Sequence, residues 1–194
     1  LHLVRHMQFH GKELGARHGM KISLEESPAE SAARRLAKMD LRQFPVAERM
    51  VKGDREDDEM YYTNSIHLRA DAPVDLLSRI QKQSKFHRAI ESGAIIHAFV
   101  GEERPPAASI MNLLKKTFHR TQAAQLTISP EFTICNDCNQ QMGGVKSSCG
   151  YCQSENVYSI TRVVGYFSRI HNWNKSKIAE LRDRQKGNYS VSMA

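Results

Sequence analysis

The chain has four cysteines, and all fall within eighteen residues as Cys135-x-x-Cys138 and Cys149-x-x-Cys152, with ten residues between the pairs. Each C-x-x-C can present two thiolates from one tight knuckle. The pattern therefore favours a tetrahedral four-thiolate zinc site over disulfides. Four ligands leave no open position, so such a site is structural, and no cysteine remains for other chemistry. Gly165 stands thirteen residues after Cys152, within Arg162-Val163-Val164-Gly165-Tyr166-Phe167. The hexapeptide reads as the tip of a buried strand in which one residue lacks a side chain, and a glycine there marks a bulge, a turn or a close backbone approach. Two readings are open. One is a strand-end turn. The other is a glycyl radical, because only glycine offers a Cα–H whose removal leaves a radical between amide nitrogen and carbonyl with no side chain to twist it out of plane. Such a radical must be kept from water and oxygen.

A second ligand-like group, His2, His6, His10 and His18 with Glu13, lies at helical spacing near the start. Nearby glycines weaken the helix that would assemble it, so a solvated helix face is expected rather than a metal face. The net charge is +7 over 194 residues, with pI near 9.3 and mean hydropathy −0.54. The balance is uneven: Arg162, Arg169, Lys175, Lys177, Arg182, Arg184 and Lys186 face only Glu180 and Asp183 in residues 161–186. A solvated tail, or one that meets nucleotide phosphates or an acidic surface, fits that bias. No run of eighteen apolar residues and no signal-peptide pattern occurs, so the expected location is the cytoplasm. The chain starts at Leu1 in helix-like sequence, which suggests a fragment, a processed product or a piece of something longer.

The elements that must position these groups follow in order. Met20–Leu24 reads as a short strand. Ser27-Pro28-Ala29-Glu30 reads as a helix start, with Ser27 as N-cap, and the helix should run to about Phe44 before Pro45. Glu30 is sufficiently explained by that capping role. Residues 46–60 are polar and form a surface loop, followed by a β-rich piece from Tyr61 to Leu68. Pro73 opens a helix with Leu76, Leu77, Ile80, Phe86 and Ile90 on one side, closed by Gly93. Ala94–Val100 is an apolar strand, Pro105-Pro106 begins a helix, and Gln125–Ile128 is the next strand. That alternation predicts parallel βαβ units. About three such strands appear, too few to close a barrel, so the sheet should pack against a missing segment.

In this order the four-cysteine cluster, Arg162–Phe167 and Trp173-Asn174-Lys175-Ser176-Lys177…Glu180-Leu181-Arg182-Asp183-Arg184 resemble the C-terminal part of the anaerobic (class III) ribonucleoside-triphosphate reductases. In that family a four-cysteine zinc module precedes an Arg-Val-x-Gly-Tyr loop, and a Trp-Asn-x-x-Lys…Glu-Leu-x-x-Arg tail follows. Ser27-Pro28-Ala29-Glu30-Ser31 and Tyr62-Thr63-Asn64-Ser65-Ile66-His67 are similar to the family's Thr-Pro-Ala-Glu-Ser and Tyr-Thr-Asn-Ser stretches. The resemblance implies an incomplete C-terminal portion of a ten-stranded α/β barrel over 1–124. A zinc ribbon would then occupy 125–156, and a glycyl-radical loop with a basic tail 157–194. It implies that Gly165 stores the radical, made by an activase with an iron–sulfur cluster and S-adenosylmethionine. The radical would pass to a barrel cysteine whose thiyl takes the 3′-hydrogen of a ribonucleoside triphosphate; the 2′-hydroxyl leaves as water. Formate or a thiol system would supply the electrons. Tyr62, Thr63, Asn64 and Ser65 would lie near the substrate, and the complete enzyme would be a homodimer.

Three departures stand out. Phe167 replaces a more usual Leu, Asn139 follows the second cysteine where Gly is usual, and the thiyl cysteine is absent because all four cysteines have the zinc pattern. The chain is therefore expected to work with an N-terminal part that carries the thiol. A nucleic-acid-binding zinc ribbon is the main rival, but between Cys135 and Cys152 the only basic residue is Lys146 and the only aromatic Tyr151. The other rivals are a non-catalytic remnant of the reductase fold and a formate-lyase type of glycyl-radical enzyme. The latter shares the glycine motif but is not expected to carry the cysteine module.

Overall fold

A computed structural model describes residues 1–27, 29–101, 104–163 and 165–191. The core forms around the apolar strand β1 (Ile96–Gly101). Ile96, Ala98 and Val100 are buried on one of its faces and His97 on the other, as expected of a strand covered on both faces. Strand β1 pairs in parallel with β2 (Leu126–Pro130), from Ile96 opposite Leu126 to Phe99 opposite Ser129, and the register shifts at Gly101. The crossover between them carries an α-helix over Ala107–Arg120, whose Leu113 is fully buried against β1. A second helix, Leu76–Ser84, contributes Leu76 and Ile80. Tyr189 and Val191, near the chain's end, return to complete the same cluster.

In chain order the helices are α1 (His2–His18), α2 (Glu30–Gln43), α3 (Leu76–Ser84), α4 (Ala107–Arg120) and α5 (Lys175–Lys186). After β2 the chain forms an antiparallel sheet in the order β4-β3-β5-β6, from β3 (Phe132–Cys135), β4 (Gln141–Gly143), β5 (Val157–Arg162) and β6 (Phe167–Arg169). The fold is thus mixed α/β, with one βαβ unit and a ribbon. Two parallel strands are present among the described residues where about three were expected; the other candidates, Met20–Leu24 and Tyr61–Leu68, are not strands, and Glu25 makes only an isolated bridge to Gly93. Among the described residues no helix is long and apolar enough to cross a membrane.

Other expectations shift by a turn or change type. Helix α2 starts at Glu30 with Ala29 at its N-cap and no side-chain cap, so Ser27 is not the cap. Pro28 and the Glu30 side chain lie outside the described set. Helix α3 starts three residues after Pro73, where Asp75 accepts the Ser78 N–H at 2.9 Å, a more effective N-terminus than proline alone. It ends at Ser84, and a 3₁₀ turn over His87–Ala89 carries the chain onward. The stretch Tyr61–Leu68 contains only one bridge, Lys52 to Tyr61. The carbonyls that follow it find another partner. The buried Arg79 guanidinium donates to Leu68 O, Arg69 O and Ala70 O at 3.0–3.2 Å and sits 4.6 Å from the centre of the Tyr189 ring. One fixed fork of donors replaces a neighbouring strand. Helix α1, by contrast, is as expected: His2, His6, His10 and His18 are all exposed.

Helix α5 is fastened to this frame by charge. Tyr61 Oη donates to Asp183 at 2.5 Å, Lys186 reaches the same carboxylate at 2.8 Å, and Arg182 pairs with Glu59. Burial alone would raise the Asp183 pKa, but the bonds from Lys186 and Tyr61 outweigh it and hold the group below the ordinary value of 3.8. A carboxylate with a depressed folded pKa stabilises the fold above its unfolded pKa, and that contribution is lost as the pH falls through the folded value. Asp183→Asn should therefore cost about 1.5–3 kcal/mol at pH 7. In urea unfolding the gap between wild type and variant should close as the pH is taken below 3.8.

Candidate metal centre and glycine loop

The two C-x-x-C turns have the same backbone. In the first, Cys135 N donates to Gln140 O at 3.1 Å and Asn139 N to Cys135 O at 3.0 Å; in the second, Cys149 N donates to Ser154 O at 2.7 Å and Gln153 N to Cys149 O at 3.0 Å. Both turn with a left-handed residue at the same place, Asn139 at φ 57° and Gln153 at φ 61°. The departure noted at Asn139 is thus accommodated, since asparagine tolerates that region better than most side chains.

The four sulfurs lie within 4.8 Å of one another. Cys135 and Cys152 Sγ are 3.6 Å apart, and Cys138 and Cys149 Sγ are 3.5 Å apart. Metal–sulfur bonds of about 2.3 Å in a tetrahedron place sulfurs about 3.8 Å apart, so the donor set fits zinc. Backbone N–H groups of Cys152 and Tyr151 outweigh burial and lower the Cys149 thiol to about 7. Gln140 N–H acts likewise on Cys138, yet burial and the three neighbouring thiols push it up to about 12. Four thiolates cannot share this volume without a cation. Asp137 ties the knuckles together, accepting from Ser154 Oγ and from Asn156 Nδ2 at 2.7 Å.

Strand β5 joins the centre to the glycine. Its first residue, Val157, pairs with Cys135; its last, Arg162, pairs with Phe167. Gly165 therefore lies in the β5–β6 turn, not at the tip of a buried strand: it is exposed, and Tyr166 and Phe167 are 64% and 40% exposed. Its carbonyl accepts from Arg162 Nη1 at 2.7 Å, and Val163 N donates to Tyr166 O at 2.9 Å. The surroundings do not require glycine: a Cβ built on it meets nothing within 4 Å. Gly53 in the same chain is the contrast, with φ 86° and a Cβ that would lie 2.1 Å from Glu59 O.

Gly165 borders a cavity of about 280 Å³ walled by Glu26, His67 and His97. Thr63 and Asn64 line a second, smaller one of about 40 Å³, which shares His67 and His97 as its wall. That volume holds a few waters and excludes a nucleotide. Tyr62 turns away to donate to Asp40 at 3.0 Å, and Ser65 is exposed at φ 51°. The structure thus brings Thr63 and Asn64, but not Tyr62, to the wall beside the glycine cavity.

Sequence reasoning did not single out the polar residues of that wall. His67 Nε2 lies 2.9 Å from Glu26, and Gln83 Nε2 approaches its Nδ1 at 3.2 Å. His97 is 6% exposed, stacks on Phe99, and its Nδ1 has no partner among the described residues. Burial, then the neighbouring His67, Arg184 and Arg162, push its pKa down to about 3, so the ring is neutral. One polar residue inside the apolar run Ala94–Val100 was the available signal. The basic tail is not an open charged face either. Lys177 and Arg184 meet Glu180, Lys186 meets Asp183, and Arg169 sits over the Tyr158 ring at 4.1 Å.

Because Gln153 carries a left-handed strain that Asn139 bears more easily, the two knuckles should respond differently to glycine. Gln153→Gly should raise stability by about 0.5–1 kcal/mol, and Asn139→Gly should be close to neutral, in chemical denaturation of the metal-loaded chain.

The family model described as anaerobic ribonucleoside-triphosphate reductase matches residues 1–186. Among solved structures, one titled "Anaerobic ribonucleotide reductase" is similar with a TM-score of 0.74 at 22% identity, over 95% of this chain and 28% of that one. The anaerobic ribonucleotide reductase from Thermotoga maritima, in complex with dATP and CTP, is similar with a TM-score of 0.67 at 20% identity, over 94% of this chain and 27% of that one. The same enzyme with MES in the active site gives 0.68 at 21%, over 88% and 26%. At these identities the likeness concerns the fold, and the chain spans little more than a quarter of the length of these neighbours. No curated protein matches the sequence. With a four-cysteine ribbon leading by one strand into the Arg162–Phe167 loop, and a family match over nearly the whole chain, this chain belongs to the anaerobic ribonucleoside-triphosphate reductase family.

Proposed function

We propose that this chain is the C-terminal piece of the catalytic subunit of a cytoplasmic anaerobic ribonucleotide reductase, with Gly165 as the residue that stores the radical. One observation carries the reading: Gly165 lies in the family's loop, yet its surroundings leave room for a side chain. Where packing does not explain the residue, the chemistry of its Cα–H does. A hydrogen atom would leave Gly165 Cα, with its one electron, for a carbon radical made from S-adenosylmethionine by an iron–sulfur activase. The glycyl radical would then regenerate a thiyl on a cysteine of the N-terminal part. That thiyl would abstract the 3′-hydrogen of a ribonucleoside triphosphate; the 2′-hydroxyl would leave as water, and formate or a thiol system would supply the two electrons that give the deoxyribonucleoside triphosphate.

The remaining roles follow the same division. Residues 1–124 would complete a ten-stranded barrel with the N-terminal part, 125–156 would form the zinc ribbon, and 157–194 the radical loop and tail. Cys135, Cys138, Cys149 and Cys152 would hold zinc, which supplies no redox chemistry and fixes the ribbon. The exposure of Gly165 and the small cavity beside Thr63 and Asn64 both support a substrate cleft closed by elements outside this chain. Thr63 and Asn64 would face that cleft; Tyr62 and Ser65 would come near the substrate once the N-terminal part docks. The complete enzyme would be a homodimer.

Two measurements test this. The purified chain should hold one zinc, and Cys149→Ser should lose it together with the ribbon's folding, since metal and folding free energies are coupled. Well under one zinc in the wild type would overturn the assignment. Anaerobic electron paramagnetic resonance of the chain with its N-terminal partner and activase should show a doublet from the remaining Cα hydrogen. Gly165→Ala should fold normally and show none. A wild type that engages its partner, holds zinc and gives no doublet would return Gly165 to being a turn.

A further inference from the structure

The base of the glycine loop is held by a residue from another element. Arg184, on the last turn of α5, is 2% exposed. Its Nη1 donates to Arg162 O at 2.8 Å and its Nη2 to Val163 O at 2.6 Å. Its guanidinium lies 4.0 Å from the centre of the Phe99 ring on β1 and 5.6 Å from that of Trp173. Glu180 completes the seat, accepting from Arg184 Nη2 at 2.7 Å and from Lys177 Nζ at 2.8 Å. Burial alone would raise the Glu180 pKa, but Arg184 and Lys177 lower it, so the carboxylate stays charged and the guanidinium stays oriented.

These contacts form a series. Arg184 fixes the peptide carbonyls of Arg162 and Val163, and Arg162, so placed, donates to Gly165 O while lying 4.7 Å from the Phe167 ring centre. We propose that Arg184 is a positioning residue for the Gly165 loop, latching it through two backbone carbonyls so that α5 and β1 set where the Gly165 Cα–H is presented. The planar fork makes the role specific to arginine: a lysine keeps the charge opposite Glu180 but cannot span both carbonyls in fixed geometry. The loop's own side chains need not be read for the latch to close. The consequence for radical chemistry rests on the assignment of Gly165 above; the latch itself does not.

The test uses Arg184→Lys in the full chain. Zinc content and cooperative unfolding should match wild type, while hydrogen exchange at the Val163 amide speeds up at least tenfold and the ribbon amides stay protected. With the N-terminal partner and activase, the yield of the Gly165 doublet should fall at least tenfold. Wild-type exchange and wild-type radical yield would overturn the proposal. If Arg184→Lys loses zinc or unfolds, Glu180→Gln decides: faster exchange at Val163 in a folded, zinc-bound variant supports the latch, and unchanged exchange overturns it. A wild type without a doublet, with faster Val163 exchange in Arg184→Lys, would sink the radical assignment and leave the latch standing.

Discussion

The pairing of β5 with β3 and β6 is the constraint on which the rest of the site depends. One six-residue strand begins opposite Cys135 and ends opposite the residue that closes the glycine turn. At a rise of about 3.4 Å per residue, about 17 Å separates the two ends, so the four-cysteine cluster and the glycine are linked through the strand rather than by contact. Register is the vulnerable quantity. A slip of one residue would turn Thr161, buried at 1% exposure and donating to Pro130 O, to the opposite face and misplace the whole loop. Pairing with β3 beside the four-cysteine cluster fixes that register at one end, and the bonds from Arg184 to Arg162 O and Val163 O hold the other.

Buried charge does work here that apolar packing could not. Arg79 and Arg184 are each 2% exposed; Arg79 donates to backbone carbonyls, and Arg184 divides its donors between two backbone carbonyls and the Glu180 carboxylate. A buried guanidinium is costly unless its donors are matched, and replacing such groups with apolar ones often leaves stability unchanged or improved. What the guanidinium provides is direction: Arg79 fixes the irregular backbone of residues 68–70, and Arg184 fixes the end of β5 and the base of the glycine loop. Tyr189 and Phe99, which lie beneath these two cations, also touch each other at 5.5 Å, so the two clamps share one aromatic floor.

The elements that sequence pattern located correctly are those built from local signals. The apolar run of β1, the α4 crossover and the end of α2 before Pro45 follow from periodicity and proline stereochemistry. The expected strands at Met20–Leu24 and Tyr61–Leu68 failed for one reason: β-type composition describes a side chain's preference, whereas a strand needs a neighbour. Leu24 O is taken by Ser92 N, and the carbonyls after Leu68 lie against Arg79. The buried tip expected around Gly165 failed because the turn is open to solvent on one side, leaving Tyr166 exposed, while Gly165 borders the cavity walled by Glu26, His67 and His97.

The sequence by itself determined the four-cysteine centre, the order of the motifs and the presence of a βαβ unit. Each is encoded within a few residues or one helical period, where chain connectivity alone brings the groups together. Only the tertiary structure decided which residues surround the glycine. Tyr61 and Asp183 are 122 positions apart, and His67, His97 and Gly165 come from three separate segments. Arg184 meets Val163 O from 21 positions away, on a helix whose pattern gave no sign of a buried face toward the loop. Those contacts depend on how α5 folds back over β1, which is set by the summed packing of the core rather than by any local run of residues.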